Sequence, residues 1–134
     1  MIMLDSSTLI HYLRGLPVVV QKFQQCSRRE VRISSVVAYE LAYGALETRS
    51  ARHRSATSAL LEGIVQVPFD GAAAAEAARI REELERQGLT IGPMDLLIAA
   101  SAASRGAVLV TSNTKEFRRV KHLRAVDWTI RARH

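Results

Sequence analysis

Short apolar segments alternate with helical stretches along this chain of 134 residues, and the alternation leaves few folds open. The segments are strand-sized, and the stretches between them follow the 3.6-residue repeat of a helix. Strands that alternate with helices form βαβ units around a parallel sheet. The predicted strands are Met1 to Leu4, Val31 to Ser34, Ile64 to Val67 and Ala107 to Thr111. We therefore predict an α/β fold with a doubly wound parallel sheet.

The segment Ala107 to Val110 is continuously apolar, which is typical of a central strand covered by helices on both faces. Arg32 and Gln66 interrupt two of the other strands and place them nearer an edge of the sheet. A chain of this length can bury one core, and no repeat or linker divides it. We expect residues 1–134 to form a single domain.

The predicted helices begin at residues that cap helices or favour their first turn. The clearest one has Asp70 as its cap and Gly88 as its stop, and its apolar stripe follows the helical repeat. Three further helices are predicted from Ser34 or Ser35 to about Thr48, from Ser50 to Glu62 and from Pro93 to Gly106.

The composition is that of a globular protein, with 48% hydrophobic and 24% charged residues. Cys26 is the only cysteine and cannot form an internal disulfide. The sequence contains neither a signal segment nor an apolar run of 18 residues. We expect a cytoplasmic protein.

Positive charge is concentrated near the C-terminus. The formal net charge is +6, and residues 115–134 carry +5 of it. Such a segment suits a polyanion, since neutralised phosphates release condensed counterions, although a solvated surface is the alternative. The basic residues are Lys115, Arg118, Arg119, Lys121, Arg124, Arg131 and Arg133.

Three carboxylates lie in apolar surroundings: Asp5 after the first strand, Glu40 within Val36 to Ala42, and Asp95 before Leu96 to Ala99. A carboxylate removed from water costs several kcal/mol unless it is paired, protonated or bound to a cation. In open parallel sheets, ligands bind at the carboxyl ends of the strands. We expect these acids to meet at that edge, where Thr111 to Asn113 and then Glu116 also lie.

Carboxylate oxygens without nearby histidine or cysteine match hard cations such as Mg²⁺ or Mn²⁺. Each acid also has an ordinary explanation. Asp5 can cap a helix, Asp95 can complement a helix dipole, and Glu40 can pair with a buried arginine. Ser7 and His11 stand four residues apart without a third orienting group, so we interpret them as packing and surface residues.

Four segments, in order and with matching spacing, resemble the signatures of PIN-domain ribonucleases. The resemblance covers nearly the whole chain and is closest to VapC-type toxins of bacterial type II toxin–antitoxin pairs. The segments are Leu4 to Ser7, Ile33 to Gly44, Ile91 to Ala99 and Leu109 to Phe117.

The resemblance implies a three-layer α/β/α fold with a central parallel sheet of four to five strands. It also implies Mg²⁺-dependent cleavage of RNA, with tRNA as a candidate substrate, a VapB-like antitoxin that blocks the site, and a homodimer. Asp5 and Asp95 match the metal-binding aspartates of the family, and Glu40 matches its site glutamate.

The chain departs from the family pattern at two places. Ser6 and Ser7 follow Asp5 where the family often has threonine and asparagine, and Asn113 stands at the fourth acidic position. Asn113 supplies no charge, so Glu116 becomes the candidate fourth catalytic acid and a second cation is in doubt.

The hypothesis assigns supporting roles to further residues. Ser6, Ser112 and Asn113 would position the substrate or a metal-bound water, and Arg118 and Arg119 would contact the RNA backbone.

Competing classes fit less well. A phospho-receiver needs an acceptor aspartate directly after the third strand, where Pro68 and Phe69 stand. A haloacid-dehalogenase-type phosphatase needs a second aspartate at the position of Ser7. A catalytically inactive PIN-like module that binds RNA or protein remains the alternative.

Overall fold

Five parallel strands form one sheet in the computed structural model, which describes residues 1–130. The order across the sheet is β3-β2-β1-β4-β5. The strands are β1 (Ile2–Leu4), β2 (Val31–Ser34), β3 (Val65–Val67), β4 (Val108–Val110) and β5 (Ala125–Val126). The helices are α1 (Ser6–Leu13), α2 (Pro17–Gln25), α3 (Ser35–Glu47), α4 (Ala51–Gly63), α5 (Gly71–Arg86), α6 (Pro93–Ala103) and α7 (Thr114–Phe117). The three-layer α/β/α prediction is confirmed.

The middle strand of the sheet is β1, whose Ile2 pairs with Val31 of β2 and with Val108 of β4. The strand predicted to be central, β4, is next to the middle strand and lies between β1 and β5. The register matters for the site because Leu4 and Val110 end the two strands side by side.

The edge assignments from polar residues are confirmed for one strand and wrong for the other. β3, which contains Gln66, is an edge strand, whereas β2 lies between β1 and β3. β2 tolerates Arg32 because this side chain is only half-buried and its guanidinium donates to the carbonyls of Arg28 and Val31.

The predicted capping residues begin their helices. Asp70 Oδ1 accepts a 3.0 Å hydrogen bond from the Ala73 amide at the start of α5, and Ser34 Oγ accepts one of 3.1 Å from the Val37 amide at the start of α3. Gly88 has φ +70°, the left-handed conformation that ends a helix after α5. The buried stripe of α5 is the predicted one, Ala73, Ala77, Ile80 and Leu84.

Two helices, α2 and α7, were not predicted. α2 begins at Pro17, directly after Gly15 and Leu16, and Gly15 takes φ +76° so that the chain can reverse after α1. Pro17 suits this position, since Pro is favourable in the first turn of a helix.

The core lies between the sheet and its helices, and a single cluster of buried apolar side chains includes residues from β1, β2, β4 and all the helices. Residues 1–130 contain no helix of the length and apolarity that a membrane crossing requires.

Candidate active site

Asp5 lies at the carboxyl end of β1 and is only 4% exposed. Its carboxylate caps α1, since Oδ1 accepts a 2.8 Å hydrogen bond from the Ser6 amide. Oδ2 accepts hydrogen bonds from Thr111 Oγ1 at 2.7 Å and from Ser7 Oγ at 2.9 Å. These donors compensate for the water that the buried carboxylate has lost. The capping interpretation of Asp5 is therefore confirmed, and it coexists with a position at the site.

Ser7 and Thr111 bind the Asp5 carboxylate, although neither was among the predicted site residues. The interpretation of Ser7 as a packing residue is wrong, because its hydroxyl donates to Asp5 and accepts a 3.1 Å hydrogen bond from the Ser112 amide. Ser112 thus contributes through its backbone. The available signal for Thr111 was its place at the end of β4, because a parallel neighbour of β1 ends at the same edge.

Glu40 projects from α3 toward Asp5. Its Oε1 atom is buried and has no hydrogen-bond partner within residues 1–130. Burial raises the pKa of Glu40, the nearby Ser6 hydroxyl lowers it, and the negative charge of Asp5 raises it again. Ser6 therefore lies near both carboxylates, since it also contacts Asp5 Oδ1 at 3.5 Å.

Asp95 lies in the first turn of α6, and its pKa is affected by the other three acids. Burial raises its pKa to about 7, together with the negative charges of Glu116, Asp5 and Glu40 and a hydrogen bond to Glu116. The structure thus places Asp5, Glu40 and Glu116 within electrostatic range of Asp95, at the carboxyl edge of the sheet.

Glu116 is held by two donors from different segments. Its Oε1 accepts a 2.8 Å hydrogen bond from the Gly92 amide, and its Oε2 accepts one of 2.9 Å from Asn113 Nδ2. These hydrogen bonds, that to Gly92 above all, lower the pKa of Glu116, and the charge of Arg119 adds to the effect. A β-carbon at Gly92 would lie 3.6 Å from both Asp95 Oδ2 and Glu116 Oε1, so the two carboxylates approach the same point.

The predicted basic residues differ in their distance from the acids. Arg119 lies near Glu116 and donates a 2.5 Å hydrogen bond to the Thr90 carbonyl. Arg118 is exposed at the end of α7, and Lys121 is drawn toward Glu83 of α5 at 3.8 Å. Arg131 and Arg133 lie outside the described residues.

The carboxylates suit a hard cation that keeps part of its water shell better than a cation enclosed entirely by protein ligands. In the described part of the chain, no three His, Cys, Asp or Glu side chains are grouped closely enough to hold a metal ion directly. Mg²⁺ typically keeps several waters and binds one or two carboxylates together with substrate phosphates. The unpartnered Glu40 oxygen and the mutual repulsion at Asp95 are both relieved by such a cation.

Comparisons with known proteins agree with this geometry. The PIN domain family model matches residues 2–123. The chain is 39% identical over 131 residues to the tRNA(fMet)-specific endonuclease VapC of Shigella flexneri, covering 95% of this chain and 97% of the relative. It is 37% identical to the tRNA(fMet)-specific endonuclease VapC of Salmonella typhimurium, covering 94% and 96%.

A solved structure has the same fold. The crystal structure of DNA-bound VapBC from Salmonella typhimurium superposes with a TM-score of 0.88 at 34% identity, covering 95% of this chain and 97% of that one.

Proposed function

The chain belongs to the PIN-domain family, and from this premise we propose that it is a metal-dependent endoribonuclease, the toxin of a type II toxin–antitoxin pair. The observation that carries the proposal is the placement of Asp5, Glu40, Asp95 and Glu116 at one edge of the sheet, where Asp95 Oδ2 and Glu116 Oε1 approach the same point beside Gly92 and Glu40 Oε1 is buried without a partner in the described chain. A group of oxygen ligands of this kind suits a metal ion that polarises a phosphodiester and activates water.

We propose Mg²⁺, with Mn²⁺ as an alternative, held by Asp5 and Asp95 together with waters that Glu40 would orient. When bound, the cation would offset the charge that grows on the scissile phosphate. Asp5 Oδ1 accepts one short hydrogen bond, from the Ser6 amide, and so retains a lone pair for a ligand. Ser7 and Thr111 would hold this carboxylate in one orientation.

Glu40 would orient the attacking water. Its buried Oε1 atom has no partner in the described chain, and its raised pKa favours the acceptance of a proton. Glu116 would hold Asn113 and the Gly92 amide beside Asp95, and thereby position the loop that faces the substrate. Arg119 would contact an RNA phosphate at this edge, with Arg118 as a further contact.

The proposed substrate is RNA, with tRNA as the first candidate, because two relatives are named for cleavage of tRNA(fMet). We also propose a VapB-like antitoxin, since similar structures are VapBC complexes, together with a homodimer and a cytoplasmic location. A single domain over residues 1–134 is proposed on the basis of the continuous core.

The antitoxin has a candidate docking surface in an apolar groove of about 470 Å³ between α2 and α4, which we call the α2–α4 groove. Its walls include Phe23 and Val20 from α2 and Leu60 and Ala59 from α4, with Arg28 also lining it. This composition suits an amphipathic segment of a partner protein.

The experiment is RNA cleavage by the purified full chain, with tRNA and unstructured RNA as substrates. Cleavage should require Mg²⁺ or Mn²⁺, stop with EDTA and disappear in Asp5→Asn, which preserves the shape of the side chain. Glu82→Gln is a suitable control, because Glu82 is an exposed α5 residue paired with Arg86. Unchanged cleavage by Asp95→Asn would refute the site assignment. RNA binding without cleavage under all conditions would support the inactive binding module instead.

A further inference from the structure

Two buried side-chain polar atoms lack hydrogen-bond partners within residues 1–130, and both residues line the same groove. They are Glu40 Oε1 and Thr57 Oγ1. The groove has a volume of about 360 Å³ and lies between α1, α3 and α4. Buried polar groups are almost always hydrogen-bonded in proteins, so two unpartnered ones on one groove indicate that a ligand completes them. We call this feature the α1–α3–α4 groove.

Thr57 is the more informative of the two. It is 1% exposed and belongs to α4, which supplies none of the four acids of the candidate active site. A threonine inside a helix can donate to the carbonyl four residues earlier, but in the described structure this hydroxyl does not. A cation bound by the acids would not supply a partner for the Thr57 hydroxyl. A buried hydroxyl without a partner destabilises the fold.

The lining of the groove combines apolar surface with positive charge. Ile10, Leu13 and Leu41 supply the apolar part. Arg14, at the C-terminal end of α1, and His53, in the first turn of α4, supply cationic or hydrogen-bonding groups. The groove could bind one nucleotide of a single strand. Its apolar walls would contact the base, the Thr57 hydroxyl would bond the edge of the base, and the Arg14 guanidinium would bind a phosphate. The volume is at the lower end for small-ligand pockets and suits a ligand of this size.

We propose that the α1–α3–α4 groove binds one nucleotide of the RNA adjacent to the scissile phosphate, with Thr57 contacting the base and Arg14 the phosphate. The inference rests on the proposed function, since Glu40 belongs both to the groove and to the candidate active site. It identifies a specificity-determining residue, Thr57, on a helix separate from the acids.

A large side chain substituted for Gly44 would fill the groove and so provides a test of ligand binding there. It lies one turn after Glu40 on α3, lines the groove, and a β-carbon placed there would meet nothing within 4 Å. Glycine inside a helix is unfavourable compared with alanine, so Gly44→Leu should fold while its side chain occupies the groove. Gly71→Leu is a matched control, because Gly71 begins α5 and its surroundings are equally open.

Thr57→Val removes the hydroxyl and keeps the shape of the side chain. If the hydroxyl serves only the fold, valine should leave ligand binding unchanged. If it contacts a base, valine should weaken binding by about tenfold, the factor expected for one lost hydrogen bond. The Tm of Thr57→Val should equal or exceed that of the wild type, since an unpartnered buried polar atom is removed. Thr57→Ser should restore binding.

The test is titration of the full chain with the four ribonucleoside 5′-monophosphates in EDTA, followed by the NMR amide shifts of Gly44 and Thr57. We expect at least one nucleotide to shift both amides in the wild type and in Gly71→Leu, with loss of the effect in Gly44→Leu. Binding that is unchanged in both Gly44→Leu and Thr57→Val overturns the inference. Shifts caused only by a purified antitoxin would assign the groove to a protein and also overturn it.

The outcomes separate this inference from the nuclease proposal. A wild type that cleaves RNA, with the Asp5→Asn variant inactive and no nucleotide effect at Gly44, overturns the groove alone. A wild type that cleaves no RNA but shows the nucleotide shifts, and loses them in Gly44→Leu, supports the groove and overturns the nuclease proposal.

Discussion

Thr111 Oγ1 donates a 2.7 Å hydrogen bond to Asp5 Oδ2 across a separation of 106 residues in the chain. The two residues lie at the ends of neighbouring parallel strands, and Thr111 is fully buried. Hydrogen bonds to an ionised carboxylate are shorter and stronger than those between neutral groups. The hydroxyl therefore fixes the orientation of the carboxylate around which the candidate active site is built.

Thr111→Val should reduce both stability and activity. Loss of a hydrogen bond to a buried charged group costs about 1.5–3 kcal/mol of the unfolding free energy, which urea denaturation measures. Removal of a group that orients a metal ligand typically costs about 10–100-fold in metal affinity or activity, which Mn²⁺ titration and RNA cleavage measure. Thr111→Ser keeps the donor and should remain close to the wild type. Normal Mn²⁺ affinity in Thr111→Val would contradict the positioning role.

The raised pKa of Asp95 predicts that the metal-free protein becomes less stable as the pH rises. Between the ordinary aspartate value of 3.8 and about 7, the folded state binds more protons than the unfolded state, so the unfolding free energy falls with increasing pH. Glu116 acts in the opposite direction, because its lowered pKa gives a contribution that is present above 4.5 and is lost as the pH falls below it. Thermal unfolding in EDTA should show a decline between about pH 5 and about pH 7.5.

Two comparisons isolate the Asp95 effect. Asp95→Asn should show a weaker decline than the wild type in this pH range, since only the raised pKa of Glu40 would still contribute to it. Added Mg²⁺ should raise the Tm of the wild type more near pH 8 than near pH 5.5, since protons compete with the cation for the carboxylate. Equal Mg²⁺ stabilisation at both pH values would be inconsistent with Asp95 as a ligand.

Arg119→Gln should weaken RNA binding and reduce its salt dependence. Arg119 lies near Glu116, and each phosphate contact with a single strand contributes about 0.7 to the slope of log K against log salt. Arg118→Gln should have a similar effect if this exposed side chain also reaches the backbone. Fluorescence anisotropy with EDTA-treated protein measures both quantities. Arg86→Gln is the control, because Arg86 is paired with Glu82 on α5. A change in the salt-dependence slope in this variant alone would rule out the proposed path of the RNA.

Ala59→Arg should block the antitoxin without affecting RNA cleavage. Ala59 is exposed and lines the α2–α4 groove, so a charged side chain there would meet the apolar face of the partner. Ala75→Arg places the same side chain at an exposed position of α5 that does not line this groove. Copurification with the antitoxin distinguishes the two variants, and undiminished copurification of Ala59→Arg would remove this groove from consideration.

Much of the fold is readable from local patterns. The cap at Asp70, the stop at Gly88 and the stripe of α5 depend on residues a few positions apart, and each was predicted correctly. The edge position inferred from Arg32 was wrong, because the pattern did not account for two backbone carbonyls that satisfy its guanidinium.

The candidate active site was predictable to a smaller extent. Asp5, Glu40 and Asp95 could be named because charged residues in apolar surroundings stand out in a sequence, and Glu116 was named from the family resemblance. The specific hydrogen bonds of Ser7 and Thr111 to Asp5 were not assigned, since hydroxyls are common near helix starts and strand ends.

The alternation of strands and helices, the capping residues and the identity of Asp5, Glu40 and Asp95 follow from short-range periodicity and from the cost of burying charge, so the chain alone specifies them. The hydrogen bond between Thr111 and Asp5, the proton-binding state of Asp95 and the groove that leaves Thr57 without a partner arise where distant segments pack together. Such features depend on distances and on the local exclusion of water, and the folded arrangement alone establishes both.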